Sequence, residues 1–137
     1  KKKGKIIFIH IDLIDGFSFF ATALSYIHEE ICPDGIISTK NSQLKTAKQL
    51  GLLTVQRLFI IDSLSIETTV KASAAINPDA IEIMPGIMPR ITKKLSTQLD
   101  VPVIVGGLIS EKEDIKNAYE DMHQIQQIID CMLPKNK

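Results

Sequence analysis

The stretch Lys5-Ile6-Ile7-Phe8-Ile9-His10-Ile11-Asp12 is apolar on consecutive positions and turns polar only at its end. Such a run predicts a strand buried on both faces, the pattern of a parallel sheet. Gly16 follows, then a helical stretch through Ala23, Leu24, Ile27 and Ile31, closed by the turn Pro33-Asp34-Gly35. The same unit then recurs. Gly35 to Thr39 reads as a short strand with a hydroxyl-rich end. Ser42 to Leu50 reads as a helix, with Asn41 or Ser42 as its cap and Gly51 as its stop. Leu53 to Phe59 is a third strand, and Asp62 or Ser63 caps a helix running through Ala75. After Asn77-Pro78-Asp79 come a strand from Ala80 to Met84, the break Pro85-Gly86, and a helix from Pro89 to Leu99. Val101 to Val105 is the fifth strand, ending in Gly106-Gly107, and Ser110-Glu111-Lys112-Glu113 fits a capping box.

Five strands alternating with five helices predict an α/β fold with a parallel sheet. Alternation alone also fits an open doubly wound sheet. The steady strand spacing and the polar or glycine tip on each strand favour a (β/α)8 TIM-barrel-like fold, whose functional groups sit at the strands' C-terminal ends. A complete barrel typically takes about 250 residues, so 137 residues amount to an incomplete one, with about five βα units and a C-terminal helix. Residues 1–120 form the barrel-type domain in this reading. In the tail, residues 121–137, Met122, Ile125, Ile128, Ile129 and Met132 recur at helical spacing and predict an amphipathic helix stopped by Pro134.

Composition narrows the function classes. The chain is 45% hydrophobic and 23% charged, with 16 basic and 16 acidic residues. That balance counts mildly against a nucleic-acid partner without excluding a local basic patch. Cys32 and Cys131 lack metal-ligand spacing and read as reduced thiols with packing or surface roles. No apolar run approaches a membrane span and no signal peptide is visible, so a cytoplasmic protein is expected. No zinc, dinucleotide or Walker motif is present, and no metal or cofactor is expected.

The candidate chemistry lies at the strand ends. Gly106-Gly107 reads either as a phosphate-binding turn backed by the next helix's N-terminus, or as a plain strand-to-helix turn. Glu82, between Ile81 and Ile83, and Arg57 lie in successive, mostly apolar strands, which is costly unless each charge has a partner. They predict an internal ion pair, ligand contacts, or both. His10 and Asp12, two apart on a strand, share a face and form either a base with its orienting acid or a polar lining for a ligand hydroxyl. Ser38, Thr39 and Lys40 read as contacts to a polar ligand or as a helix cap. His28 and His123 read as surface groups.

These segments, in this order, resemble the glycerol uptake operon antiterminator regulatory family. The resemblance is carried by His10-Ile11-Asp12-Leu13 with Gly16, Asp34 to Lys40, Gln56-Arg57-Leu58-Phe59 with Asp62-Ser63, Pro78 to Gly86, and Pro102 to Ile109. It covers about residues 4 to 120, with the tail from Asp121 outside it. It implies a barrel that senses glycerol 3-phosphate and binds leader mRNA, preventing transcription termination ahead of glycerol genes. It further implies that Gly106 and Gly107 hold phosphate, while His10, Asp12, Arg57 and Glu82, with Ser38, Lys40 and Gly86, line the pocket. The family also carries about two βα units before the Lys5 strand and a Gly-Ala-rich last strand, neither visible here. The chain is then a fragment, a joining of separated stretches, or a piece that another chain completes, as in a homo-oligomer.

Three functions follow as expectations. The leading one is a non-catalytic, ligand-sensing regulator of RNA. The second is an enzyme acting on a small phosphorylated polyol or sugar, with His10 as base and Gly106-Gly107 as phosphate grip. The third is an interaction module built on the helix at 122–133. Lys40, Lys45, Lys48 and Lys71 are candidate RNA contacts, and whether they cluster depends on the fold.

Overall fold

The structure, a computed structural model, describes residues 5–15, 21–120 and 125–128. The elements run β1 (Phe8–His10), a 3-10 turn (Ile11–Leu13), α1 (Ala21–Tyr26) continuing as a π-helical turn (Ile27–Ile31), β2 (Gly35–Ser38) and α2 (Asn41–Gln49). Then follow β3 (Leu53–Phe59), α3 (Ser63–Ile76), β4 (Ala80–Met84), α4 (Pro89–Gln98), β5 (Val103–Val105), α5 (Lys112–Glu120) and β6 (Ile125–Ile128).

The sheet has six strands in the order β1-β2-β3-β4-β5-β6, and every pair is parallel. This order decides between the two architectures left open by alternation. Parallel crossovers are right-handed, so strands added always on the same side place every helix on the same face. A doubly wound sheet instead reverses its strand order and carries helices on both faces. Here α1 to α5 contact one another in succession, as one outer layer. The layout is that of a (β/α) barrel wall, with β1 and β6 as its edges among the described residues.

Strand periodicity divides the residues between two faces. Ile81, Ile83, Val103 and Val105 point to the helices and pack with Ile66, Leu95, Leu99 and Ala118. A second cluster joins Ile11, Leu24, Ile27, Ile36, Leu44, Ala47, Leu52 and Ile76 under α1 and α2. Each buried Ile or Leu contributes about 1.5–3 kcal/mol relative to exposure. The alternate positions, Val55, Arg57, Glu82 and Ile104, form the inner face, and Val55, Glu82 and Ile104 are buried there.

The sheet's N-terminal end is bracketed by a repeated device. Asp34 and Asp79 each follow a proline and precede a strand. The Asp34 carboxylate accepts from the Ile7 amide, and the Asp79 carboxylate accepts from the Thr54 amide and hydroxyl. Each aspartate also donates its own N–H to the carbonyl of that same residue. The Pro-Asp turns thus staple β1 to β2 and β3 to β4.

Several sequence expectations need correction. β1 is short, so Asp12 lies in the 3-10 turn beyond it and not on the strand. α2 has Lys40 at its N-cap position, without a side-chain cap, in place of Asn41 or Ser42. α5 is capped by Asp114, whose carboxylate accepts from the amides of Ser110 and Glu111, rather than through Glu113. The expected helix at 122–133 gives way at Ile125–Ile128 to a strand on β5, with an irregular register between Val103 and Ile104. A three-residue Ile spacing suits a helix, but β5 offers an edge of unpaired backbone groups that a strand satisfies. The rest of that tail lies outside the described residues. β5 is shorter than expected, starting at Val103, whereas β3 and β4 have the expected bounds, Asp62 caps α3 through the Ser65 amide, and Gly51 follows α2 with φ of 75°.

Candidate functional site

Asp12 holds two strand tips together. As β1 gives way to the 3-10 turn, its carboxylate swings over the end of β2. There it accepts from the Ser38 hydroxyl at 2.7 Å, the Thr39 amide at 2.6 Å and the Thr39 hydroxyl at 2.7 Å. Ser38, fully buried, in turn accepts from the Lys40 amide. Burial pushes the Asp12 carboxyl up, but the bonds from Thr39 and Ser38 outweigh it and hold the group below its usual 3.8. The Ser38-Thr39 tip, read from sequence as a ligand contact or helix cap, is engaged by Asp12.

Arg57 and Glu82 face each other in register on β3 and β4. Arg57 Nε donates to Glu82 Oε2 at 2.6 Å and Nη2 to Oε1 at 3.2 Å, a bidentate pair with Glu82 only 2% exposed. Arg57 Nη1 lies 3.1 Å from His10 Nδ1. A guanidinium only donates, so Nδ1 accepts and the imidazole is neutral with its proton on Nε2. Burial first, and the Arg57 charge second, push the His10 pKa below 6.5.

The His10–Asp12 couple is loose: His10 Nε2 faces Asp12 Oδ2 at 3.8 Å, within ion-pair range but beyond hydrogen-bond distance, and makes no hydrogen bond among the described residues. Three of the five N–H groups of Arg57 are engaged by Glu82 and His10. The other two have no hydrogen-bond partner among the described residues.

This geometry sets a pH dependence. A histidine whose folded-state pKa lies below its unfolded value adds stability above the unfolded value, and loses it as pH falls toward the folded one. Stability is therefore expected to drop as pH falls below 6.5. His10→Asn should remove that component. Melting temperature against pH for the two proteins measures it, and parallel curves would discard the buried neutral imidazole.

Gly106 packs against this cluster, and Gly86 and Gly107 lie beside it. A Cβ on Gly106 would sit 2.9 Å from Glu82 Oε1, so Gly106 makes room for the ion pair. Its N–H donates to the Ile83 carbonyl at 3.1 Å, continuing the ladder beyond β5. Gly86 donates to the Gly107 carbonyl at 3.0 Å, and a Cβ there would meet Ile109 Cδ1 at 2.7 Å. Gly107 and Leu108 both have positive φ, 77° and 62°. That conformation is strained for leucine, and Leu108 is 70% exposed. The α5 amides at Ser110 and Glu111, expected to face an anion, are occupied by Asp114. Lowered by those bonds, the Asp114 carboxyl stays ionised.

Sequence reading missed a cavity of about 460 Å³ beyond β3, lined by Thr39, Asn41, Gln56, Phe59, Asp62 and Ser65 among others. Gln56, almost wholly buried, donates to the Asn41 side chain. Gln56, a polar residue in β3 that lines the cavity, was the available signal. His28, read as a surface group, is half-buried with Nδ1 lacking a partner among the described residues. His123 and Cys131 lie outside the described residues, while Cys32 is a free, exposed thiol. Among the described residues no His/Cys/Asp/Glu group could hold a metal, and no helix is long and apolar enough to cross a membrane.

Known proteins share both this fold and this sequence. Residues 1–126 match the family described as glycerol-3-phosphate responsive antiterminator, so the match runs past the limit near 120 expected from sequence. The Escherichia coli (strain K12) protein YgcP is 42% identical over 118 residues, covering 86% of this chain and 62% of YgcP, so the chain spans less than two thirds of that relative. Two crystal structures share the fold. The glycerol uptake operon antiterminator regulatory protein of Listeria monocytogenes str. 4b F2365 is 36% identical, with a TM-score of 0.84, covering 98% of this chain and 72% of its own. A glycerol uptake operon antiterminator-related protein of Thermotoga maritima MSB8 is 26% identical, with a TM-score of 0.75, covering 93% and 70%. By fold and by sequence, the chain belongs to the glycerol-3-phosphate responsive antiterminator family.

Proposed function

We propose that this chain is the sensing part of an antiterminator that binds glycerol 3-phosphate at the inner C-terminal end of the sheet. The liganded form then binds leader RNA. The observation that carries the reading is the packing of Gly106 directly over Glu82 of the Arg57–Glu82–His10 cluster, with the Gly107-Leu108 turn following it. A short polyol phosphate spans such a site. Its hydroxyls would meet the two remaining Arg57 N–H groups, the Glu82 carboxylate and His10. Its phosphate would meet the strained glycine turn. Glu82 already offsets the charge of Arg57, so the phosphate needs backbone N–H groups beyond Gly106, whose own amide is engaged.

The same bonds argue against an enzyme. A general base must be free to take a proton from substrate. His10 Nδ1 accepts from Arg57, and both oxygens of Glu82 are bound by that arginine. The groups that would do chemistry are held in place by one another, which suits binding a ligand more than moving its protons. Effector binding would act by differential affinity for two conformations of the chain.

Calorimetric titration with glycerol 3-phosphate, with glycerol as control, tests the reading. Binding of the phosphate ester and not of glycerol is expected, and no binding of either would remove the effector assignment. Gly106→Val should weaken binding by about tenfold or more, because the added side chain forces Glu82 off Arg57 and overpacks the site at about 1–3 kcal/mol, while far-ultraviolet dichroism stays close to native. Unchanged affinity would take Gly106 out of the site.

A further inference from the structure

The formal charge is zero, but the charges are segregated. Residues 39–99 hold 8 of the 16 cations and only 4 of the 16 carboxylates. Of those carboxylates, Glu82 is buried against Arg57, Asp62 caps α3, and Asp79 accepts from Thr54. Asp62, Asp79 and Asp100 are exposed at the ends of the helices, but the helix faces themselves are lopsided. The exposed residues of α2, α3 and α4 include Lys45, Lys71, Arg90, Lys93 and Lys94 against a single carboxylate, Glu67. These three helices are neighbours in the outer layer. Between α3 and α4 runs a groove of about 520 Å³, lined by Ile66, Glu67, Val70, Lys71, Lys94 and Gln98. The flanks are different: the segment at α5 sets Glu111, Glu113 and Asp114 against Lys112 and Lys116, and the turn after α1 exposes Glu29 and Glu30.

We infer that the outer face of α2–α4, centred on the α3–α4 groove, is the surface that takes the phosphate backbone of RNA. The inference rests on the RNA-binding reading above and adds where the RNA sits. A polyanion is attracted by a local excess of cations, whatever the chain's net charge. Lysines supply diffuse point charges suited to tracking phosphates rather than reading bases. Of the lysines that the sequence offers as RNA contacts, Lys45 and Lys71 lie on this face, whereas the Lys48 ammonium donates to the Asn77 carbonyl and ties α2 to the end of α3. The effector site is on the inner face of the same strands, so ligand and RNA do not compete for space.

The test is fluorescence anisotropy of a labelled RNA hairpin with the full chain and saturating glycerol 3-phosphate, over roughly 50 to 200 mM salt. The double variant Lys71→Glu/Lys94→Glu should bind about tenfold or more weaker, with the log-affinity against log-salt slope reduced by about 1–2. Glu67→Gln should bind more tightly, and Lys112→Glu, on α5, should bind as the native chain does. All four positions are exposed, so the melting temperature should hold across the set. RNA binding with native affinity and slope in the double variant would overturn this surface and leave the RNA reading standing. No RNA binding by the native chain at low salt would overturn both. Polyglutamate competing as well as RNA would make the partner an acidic polypeptide and overturn the assignment to RNA.

Discussion

Replacing Arg57 with methionine should destabilise the protein by about 3–5 kcal/mol and abolish effector binding. The size of the effect comes from what the substitution leaves behind. Glu82 is 2% exposed and both its oxygens accept from Arg57. Without the guanidinium its charge has no water to meet, and it must protonate or draw solvent into the sheet's inner face. His10 Nδ1 loses its donor at the same time. The double variant Arg57→Met/Glu82→Leu should recover most of the lost stability, because a buried pair replaced by apolar groups of similar volume is close to neutral. It should not recover binding. Urea unfolding and calorimetry on the single and double variants separate the two roles. A single variant costing under about 1 kcal/mol would mean Glu82 is compensated elsewhere, and a double variant that still binds glycerol 3-phosphate would reduce the pair to scaffold.

This pair was also the most legible part of the site. Charges in two successive, mostly apolar strands raise an internal ion pair as one of two readings, and the parallel register, which sets Arg57 opposite Glu82, makes it. β3 and β4 were readable for the same reason: each is a run with turn chemistry at both ends. Gly106 was singled out for an anion, but its packing against Glu82 depends on how far β5 lies from β4, which a strand pattern does not encode. The cap of α5 shows a finer limit. Glu113 and Asp114 are adjacent acids near the same helix start, and only the backbone path selects Asp114. At β6, local spacing misled because the deciding factor was the open edge of β5, a tertiary property.

The sequence offers Asp12 as the orienter of His10 or as part of a polar lining, and its hydrogen-bond partners lie 26 and 27 residues away. The usable signal was that the tips of adjacent parallel strands end side by side, so an acid after β1 meets hydroxyls after β2. Asp12→Ala should cost about 3 kcal/mol, since three hydrogen bonds to a charged group are lost and buried Ser38 is left without its acceptor. Asp12→Asn, whose amide oxygen can still accept, should cost about 1–2 kcal/mol. The carboxyl is held below 3.8, so its contribution is fully present above that pH and is lost as pH falls through the folded value. Acid unfolding of Asp12→Ala should therefore be shallower than that of the native chain below pH 3.8. Effector affinity of Asp12→Asn should stay near native, because Arg57, Glu82 and the Gly106-Gly107 turn keep their contacts. Loss of binding in that variant, with the fold intact, would move Asp12 from holding the strand tips together to touching the ligand itself.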